Sequence, residues 1–243
     1  MGEKADSGQM PPEPRAQGDI FLSGEADQWF ERNLPERLSA EQGCCTDTTY
    51  LLSVLSPHRD SINSILEIGC CDGLKLYQLC TGLDATGYGI DPSERAVRRG
   101  NERFSQSGVE LSVGLAETLR YADHAFDLVY FGFCLYVVDR QTLERSLREA
   151  HRVLKPGGFL AITDFDPSVP HTRPYHHRAG MFSYKDNYAQ ALVSPGFYQL
   201  IYKHSFSHSQ AYFDVNSDER VSTSILFKEL TNTDDTPITV KKL

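Results

Sequence analysis

No stretch of this sequence is apolar for long enough to span a bilayer, and its first residues, MGEKADSGQMPPEPRAQG, have no apolar core of the kind a signal peptide needs. A cytoplasmic location is the expectation. Positive charge is also scarce: 24 Lys and Arg face 33 Asp and Glu, a net charge of -9, which repels nucleic acid and anionic membrane unless a local patch overrides it. The most basic run, Arg95 to Arg103, alternates with glutamates and reads as a solvated helix face. The cysteines, Cys44, Cys45, Cys70, Cys71, Cys80 and Cys134, form two vicinal pairs and two single residues, which fits neither zinc spacing nor a three-cysteine cluster. Buried thiols and no metal are the expectation.

At 243 residues the chain suffices for one hydrophobic core with decorations. Residues 1–17, rich in Pro, Gly and charge, read as a disordered tail, and 18–243 as a single domain. Within that domain, 18–57 read as a helical cap, because Trp29, Phe30, Leu34 and Leu38 recur at helical intervals; Pro35 argues for a break there. From residue 64 strands and helices alternate: SILEIG, LKLYQLC, ATGYGI, then Pro92 in a helical first turn, a strand over 109–115, FDLVYF, a helix from about Asp139 to Val153, and LKPGGFLAITDF. Such repeats predict an α/β fold, a doubly wound, mostly parallel seven-stranded sheet with helices on both faces and an antiparallel last strand. The rhythm fails over 165–190, a polar, aromatic and histidine-rich insertion, with a helix near Tyr184 to Val193.

An open parallel sheet binds its ligand at the carboxyl ends of its strands, where the strand order reverses. Gly69 and Gly73 fall on the first strand-to-helix turn, in ILEIGCCDGLKL. A dinucleotide fingerprint would need two further glycines where this chain has Cys71 and Leu74, and no G-K-[ST] follows for a phosphate loop. Two carboxylates remain. Asp91, ending strand two, can accept from both hydroxyls of a ribose, and Glu67, ending strand one, attracts the cationic part of a ligand. A cofactor with a ribose, an amine and a positive centre suits that pair.

LEIGCCDG, GYGIDPS, GLAETLRYADHAFDLVY and REAHRVLKPGGFLAI, in that order, resemble the class I S-adenosylmethionine-dependent methyltransferases over residues 62 to 164. The resemblance implies the Rossmann-like fold, S-adenosyl-L-methionine as cofactor, and transfer of its methyl group to an oxygen or nitrogen of a small-molecule acceptor. It places Glu67, Gly69 and Gly73 beside the methionine moiety, Asp91 at the ribose, and Pro92, Leu115 and Ala116 at the adenine. Cys71 stands where the family commonly has glycine, and Leu115 where it often has an acid. Phe131, after strand four, is expected to border the cofactor.

The acceptor should meet the ends of strands four and five and whatever covers them. Trp29, Phe133, Tyr136, Arg173, Tyr175 and His177 are the candidates for binding it, and His176, His171 or Asp164 for removing its proton. Phe131-Gly132-Phe133-Cys134 replaces the Asn/Asp-Pro-Pro-Tyr/Phe segment of nucleic-acid amine methyltransferases, which argues against DNA or RNA acceptors. A protein methyltransferase, or a non-catalytic regulatory protein built on the cofactor fold, remains an alternative.

Overall fold

A computed structural model of the chain describes residues 16–40, 43 and 45–230. Three helices come first: α1 (Gln17–Ile20), which continues through a π-helical turn at Phe21–Glu25 into α2 (Ala26–Ala40), then α3 (Thr46–Leu55). The π-helical turn is kinked at Gly24, whose φ of 130° lies outside helical space. α2 runs through Pro35 rather than breaking there. A proline inside a helix costs about 3 kcal/mol, and here Trp29, Phe30 and Leu34 pack against Cys71 and Ala96 and hold the helix in place.

The alternating part follows as β1 (Ser64–Ile68), α4 (Leu74–Leu83), β2 (Thr86–Asp91), α5 (Glu94–Arg103), β3 (Val109–Val113), β4 (Phe126–Gly132), α6 (Leu143–Val153) and β5 (Leu154–Phe165). Pro92 lies just outside α5 rather than in its first turn, because Ser93 is the N-cap, its hydroxyl accepting from the Ala96 N–H at 3.1 Å. The 165–190 stretch is not irregular throughout. It holds a hairpin, β6 (His171–Pro174) and β7 (Phe182–Lys185), whose strands pair antiparallel, and α7 (Tyr188–Val193) follows it. β8 (Tyr198–Ser207) and β9 (Arg220–Lys228) complete the fold.

Seven strands form one sheet in the order β3-β2-β1-β4-β5-β9-β8. β1 to β5 are parallel, and β9 runs antiparallel to both neighbours, β5 and β8. Successive side chains of a strand point to opposite faces, so Leu66, Ile68, Val129 and Phe131 pack under α6 and α7, while Ile65, Leu128 and Tyr130 pack under α3, α4 and α5. The chain leaves β1 towards β2 and β3, then returns to β4 on the other side. Strand order therefore reverses between β1 and β4, and a crevice opens at their carboxyl ends.

The expected disordered tail falls almost wholly outside the described residues, but Gln17 is corrected. It begins α1, is buried, donates through Nε2 to the Val137 carbonyl at 2.9 Å, and accepts from the Phe182 N–H at 2.6 Å. A side chain that satisfies two backbone groups more than 100 residues away is held by them.

Candidate active site

A cavity of about 580 Å³ occupies that crevice, within the roughly 300–1,000 Å³ range of small-molecule sites. Its first end is built where β1 turns into α4. Gly69 and Gly73 take φ of 76° and 73°, which glycine reaches freely, and Cys71 takes 52°, which costs a side chain energy. The Gly69 and Cys70 N–H groups donate to the Ile90 carbonyl at 2.9 and 3.1 Å, so the turn lies against the end of β2. Asp91 completes the tie: Oδ2 accepts from the Cys71 N–H at 2.8 Å and Oδ1 from the Ser93 N–H at 2.9 Å. A carboxylate has about four acceptor positions, so roughly two remain for a ligand. Burial pushes the Asp91 carboxyl up to about 6, against those two N–H donors.

Glu67 is 1 % exposed, and its Oε2 has no hydrogen-bond partner among the described residues. Burial pushes its carboxyl up to about 8, although Lys75 pulls the other way. A buried acid with an orphaned oxygen beside a cavity fits a cationic ligand group, which would restore its charge. Gly132 makes the space for it, because a methyl group there would collide with Glu67 Oε1. Nearby, Asp47 takes an ion pair from Lys75 and a hydrogen bond from the Tyr130 hydroxyl at 2.6 Å. Burial works against its ionisation, yet these partners hold it below the usual carboxylate range. Arg37, paired with Asp72, also lines the cavity. At the other edge, Gly18 of α1 rests against Leu115 and Glu117, so the first helix closes over that loop.

The second end is aromatic. Phe133, at a φ of 69°, donates its N–H to the Thr163 carbonyl at 3.0 Å, and its ring lies 5.2 Å from that of Tyr136. A bulky residue in the left-handed region is strained, and such strain clusters at functional sites. Phe206, His208 and Val221 continue the wall.

Of the residues expected from sequence, the cavity gathers Trp29, Glu67, Gly69, Cys71, Asp91, Pro92, Leu115, Ala116, Phe133 and Tyr136. The others lie elsewhere. Gly73 is the N-cap of α4 and faces Leu111; Phe131 is fully buried, its side chain turned into the core under α6. Asp164 is 2 % exposed and accepts from the Leu135, Tyr136 and Phe165 N–H groups, so it shapes the loop bearing Tyr136 rather than facing the cavity. Its carboxyl is pushed up to about 7 by burial. His171 and Arg173 both bind Asp218, at 2.5 and 2.9 Å, on the loop between β8 and β9. Tyr175 is buried against Phe21 and bonded to Glu25 at 3.4 Å, while His176 and His177 are exposed on the hairpin, His177 against the Tyr175 ring. None of these eight lines the cavity. The hairpin carries its polar groups outward or into ion pairs, which composition alone does not disclose.

Sequence reasoning missed Arg37, Asp47, Lys75, Thr163, Phe206 and His208, all of which line the cavity. For His208 a signal existed: it directly follows β8, at the same end of the sheet as the ligand crevice. Asp47 and Lys75 gave none, since their pairing spans 28 positions of chain. Among the described residues, no group of three or more His, Cys, Asp or Glu side chains converges as a metal site would require.

A doubly wound α/β sheet with a carboxylate at the end of each of its first two strands, both lining the switch-point cavity, is the arrangement with which Rossmann-like folds hold nucleosides. Residues 66–162 match the family described as Methyltransferase domain. The matched segment runs from β1 into β5, and the seven-stranded sheet around it has the Rossmann-like methyltransferase fold.

Over 120 residues it is 35 % identical to 2-phytyl-1,4-naphtoquinone methyltransferase of Nostoc punctiforme, covering 46 % of this chain and 51 % of that protein. Over 106 residues it is 37 % identical to 27-O-demethylrifamycin SV methyltransferase of Amycolatopsis mediterranei, covering 42 % and 38 %. The chain thus spans about half or less of the length of these curated relatives. The Burkholderia thailandensis 1,6-didemethyltoxoflavin-N1-methyltransferase, solved with 1,6-didemethyltoxoflavin and S-adenosylhomocysteine, has the same fold, with a TM-score of 0.67 at 13 % identity over 93 % of this chain and 98 % of that one.

Proposed function

We propose that the chain moves the methyl group of S-adenosylmethionine to an oxygen or nitrogen of a small-molecule acceptor by in-line displacement. The observation that carries this reading is one cavity with two unlike ends: the orphaned Glu67 oxygen and the half-used Asp91 carboxylate at one, and the aromatic wall of Phe133, Tyr136 and Phe206 at the other. Glu67 would hold the cofactor's amino group, Asp91 the ribose hydroxyls, and Pro92, Leu115 and Ala116 the flat faces of the adenine. Arg37 and Lys75 supply positive charge for the carboxylate of the methionine end. When bound, the cofactor supplies a methyl group activated by a sulfonium.

The protein's own contribution is placement. Holding the acceptor atom in line behind the methyl group replaces a bimolecular encounter with an oriented one, which reaches about 7–11 kcal/mol in favourable cases. Apolar walls also exclude water as the positive charge disperses. We take 18–243 as one methyltransferase domain in which 18–57 form a cap, with Trp29 and Phe21 reaching the cavity from α2 and the turn before it. Segment 165–190 is read as a lid that acts by bracing its neighbours rather than by touching the acceptor. A ring-bearing acceptor suits the aromatic wall and the naphthoquinone in one relative's name. A cytoplasmic, soluble setting is part of the same reading.

Calorimetric titration with S-adenosylmethionine tests it. Binding at micromolar to submillimolar cofactor is expected; no heat of binding at millimolar cofactor would overturn the proposal.

A further inference from the structure

We propose that His208 is the general base towards the acceptor, and that this acceptor is a planar aromatic ring bearing an ionisable hydroxyl; the inference rests on the methyl-transfer reading of the cavity. His208 is the one histidine among the described residues that line the cavity. Its ring lies nearly parallel to those of Phe133 and Phe165, at 5.3 Å and 25° and at 5.7 Å and 30°, so its orientation is set by stacking and its nitrogens lie at the edge of the stack. Neither nitrogen has a hydrogen-bond partner among the described residues, and the side chain is exposed at the cavity mouth, where an acquired proton can pass to water.

The cavity's carboxylates are committed elsewhere. Asp47 is bound to Lys75 and Tyr130, Asp91 to the Cys71 and Ser93 N–H groups, and Asp139 to the Gln141 N–H, while Glu67 serves the cofactor's amine and Glu117 lies with Leu115 beside Gly18, at the opposite edge from the aromatic wall.

The loop that carries His208 is held at both ends. The His208 N–H donates to the Glu219 carbonyl at 2.7 Å, and the Ser207 hydroxyl to Asp214 at 2.7 Å. Asp218, one residue before Glu219, is bound by His171 and Arg173 of β6, and Lys185 of β7 donates to its carbonyl and covers the Phe165 ring at 4.0 Å. The hairpin histidine that the sequence suggests as a base therefore belongs to the clasp on the loop that bears one.

In the proposed step, the imidazole takes the hydroxyl proton, the oxygen lone pair forms the bond to the methyl carbon, and the carbon–sulfur bond breaks with its electron pair going to sulfur. The imidazolium then releases the proton to water. A positioned base of this kind contributes on the order of 10²–10⁴ in rate.

The test uses the full chain, saturated with S-adenosylhomocysteine, and 4-nitrophenol as probe, since its phenolate absorbs in the visible. Wild type should bind the probe and develop the phenolate band at a pH where free probe is mostly neutral. His208→Ala and His208→Gln should lose that band and bind the probe at least about tenfold more weakly, and with S-adenosylmethionine their transfer to the probe should fall about a hundredfold or more. Both variants should bind S-adenosylhomocysteine as wild type does, which reports an intact fold. An unchanged band and unchanged transfer in both variants, or no binding of the probe by wild type, would overturn the inference while leaving the cofactor reading standing. Failure of wild type to bind S-adenosylhomocysteine would remove the reading beneath it, and the inference with it.

Discussion

At the proposed cofactor end of the cavity, Glu67, Gly69, Cys71 and Asp91 come from one continuous stretch of chain, and backbone N–H groups tie its glycine turn to Ile90 and Asp91. At the proposed acceptor end, Phe206 comes from β8 while Phe133 and His208 directly follow β4 and β8, elements far apart in sequence, and ring contacts hold them. The first end is a set of backbone hydrogen bonds that leaves acceptor positions open on Asp91 and on Glu67. The second is an aromatic surface whose shape depends on loops braced by ion pairs. A common cofactor can be held by short-range geometry, whereas an acceptor surface assembled at long range can change without disturbing it.

The largest break in that comparison should come from Asp91→Ala. It removes the acceptor of two backbone N–H groups together with the proposed ribose contact, and hydrogen bonds to a charged group contribute roughly 1.5–3 kcal/mol each. Calorimetry should show cofactor affinity reduced about a hundredfold or more; wild-type affinity would mean that the sugar is held elsewhere. Gly132→Ala should follow. The added methyl group meets Glu67 Oε1, and overpacking of this kind costs roughly 1–3 kcal/mol. Both the melting temperature and cofactor affinity should fall, whereas a neutral result would show that Glu67 moves freely.

A smaller effect should appear with pH. Glu67, Asp91 and Asp164 have carboxyls raised to about 8, 6 and 7, each mainly by burial. The folded chain therefore binds protons that the unfolded chain has already released, and stability declines as pH rises from about 5 through 8. Asp47 and Asp127, whose carboxyls are held low by Lys75 and Lys155 despite burial, act in the opposite sense but only as pH falls into the acid range. Melting curves should show the highest midpoint near pH 5 to 6 and a shallower decline in Glu67→Gln; a flat profile from 5 to 8 would contradict the burial argument.

Cys71→Gly should have the smallest effect and the opposite sign. Relieving a left-handed side chain returns about 1–2 kcal/mol, and glycine's freedom in the unfolded chain takes back roughly 0.5–1 kcal/mol. A net gain near 0.5 kcal/mol is expected in chemical denaturation, and a clear loss would mean that the thiol packs better than its backbone suffers.

The local pattern of β1, its glycine turn and the acid ending β2 was legible in the sequence because each element is specified by neighbours a few residues away: apolar runs, positive-φ glycines, and a carboxylate at a strand end. The mostly parallel, helix-covered sheet followed from the alternation of strands and helices. The acceptor end was not legible to the same degree. Tyr136 and Phe133 could be named because they follow β4 directly. His208 carried one signal, its place directly after β8, but that signal set it apart from His171 and His176 only once β8 was paired with β9, and Asp164 read as a base although it accepts three backbone N–H groups.

The sequence by itself determined the parallel sheet, the glycine turn that borders the cavity, and the two carboxylates that line it, since hydrogen-bond geometry and hydrophobic period act over a few residues. Only the tertiary structure decided which aromatic and imidazole rings share one chamber, that Lys75 neutralises Asp47, and that the hairpin clasps the loop between β8 and β9 instead of lining the site. Those outcomes depend on side chains brought together from distant parts of the chain, where burial and charge pairing are properties of the assembled surroundings and not of the residue.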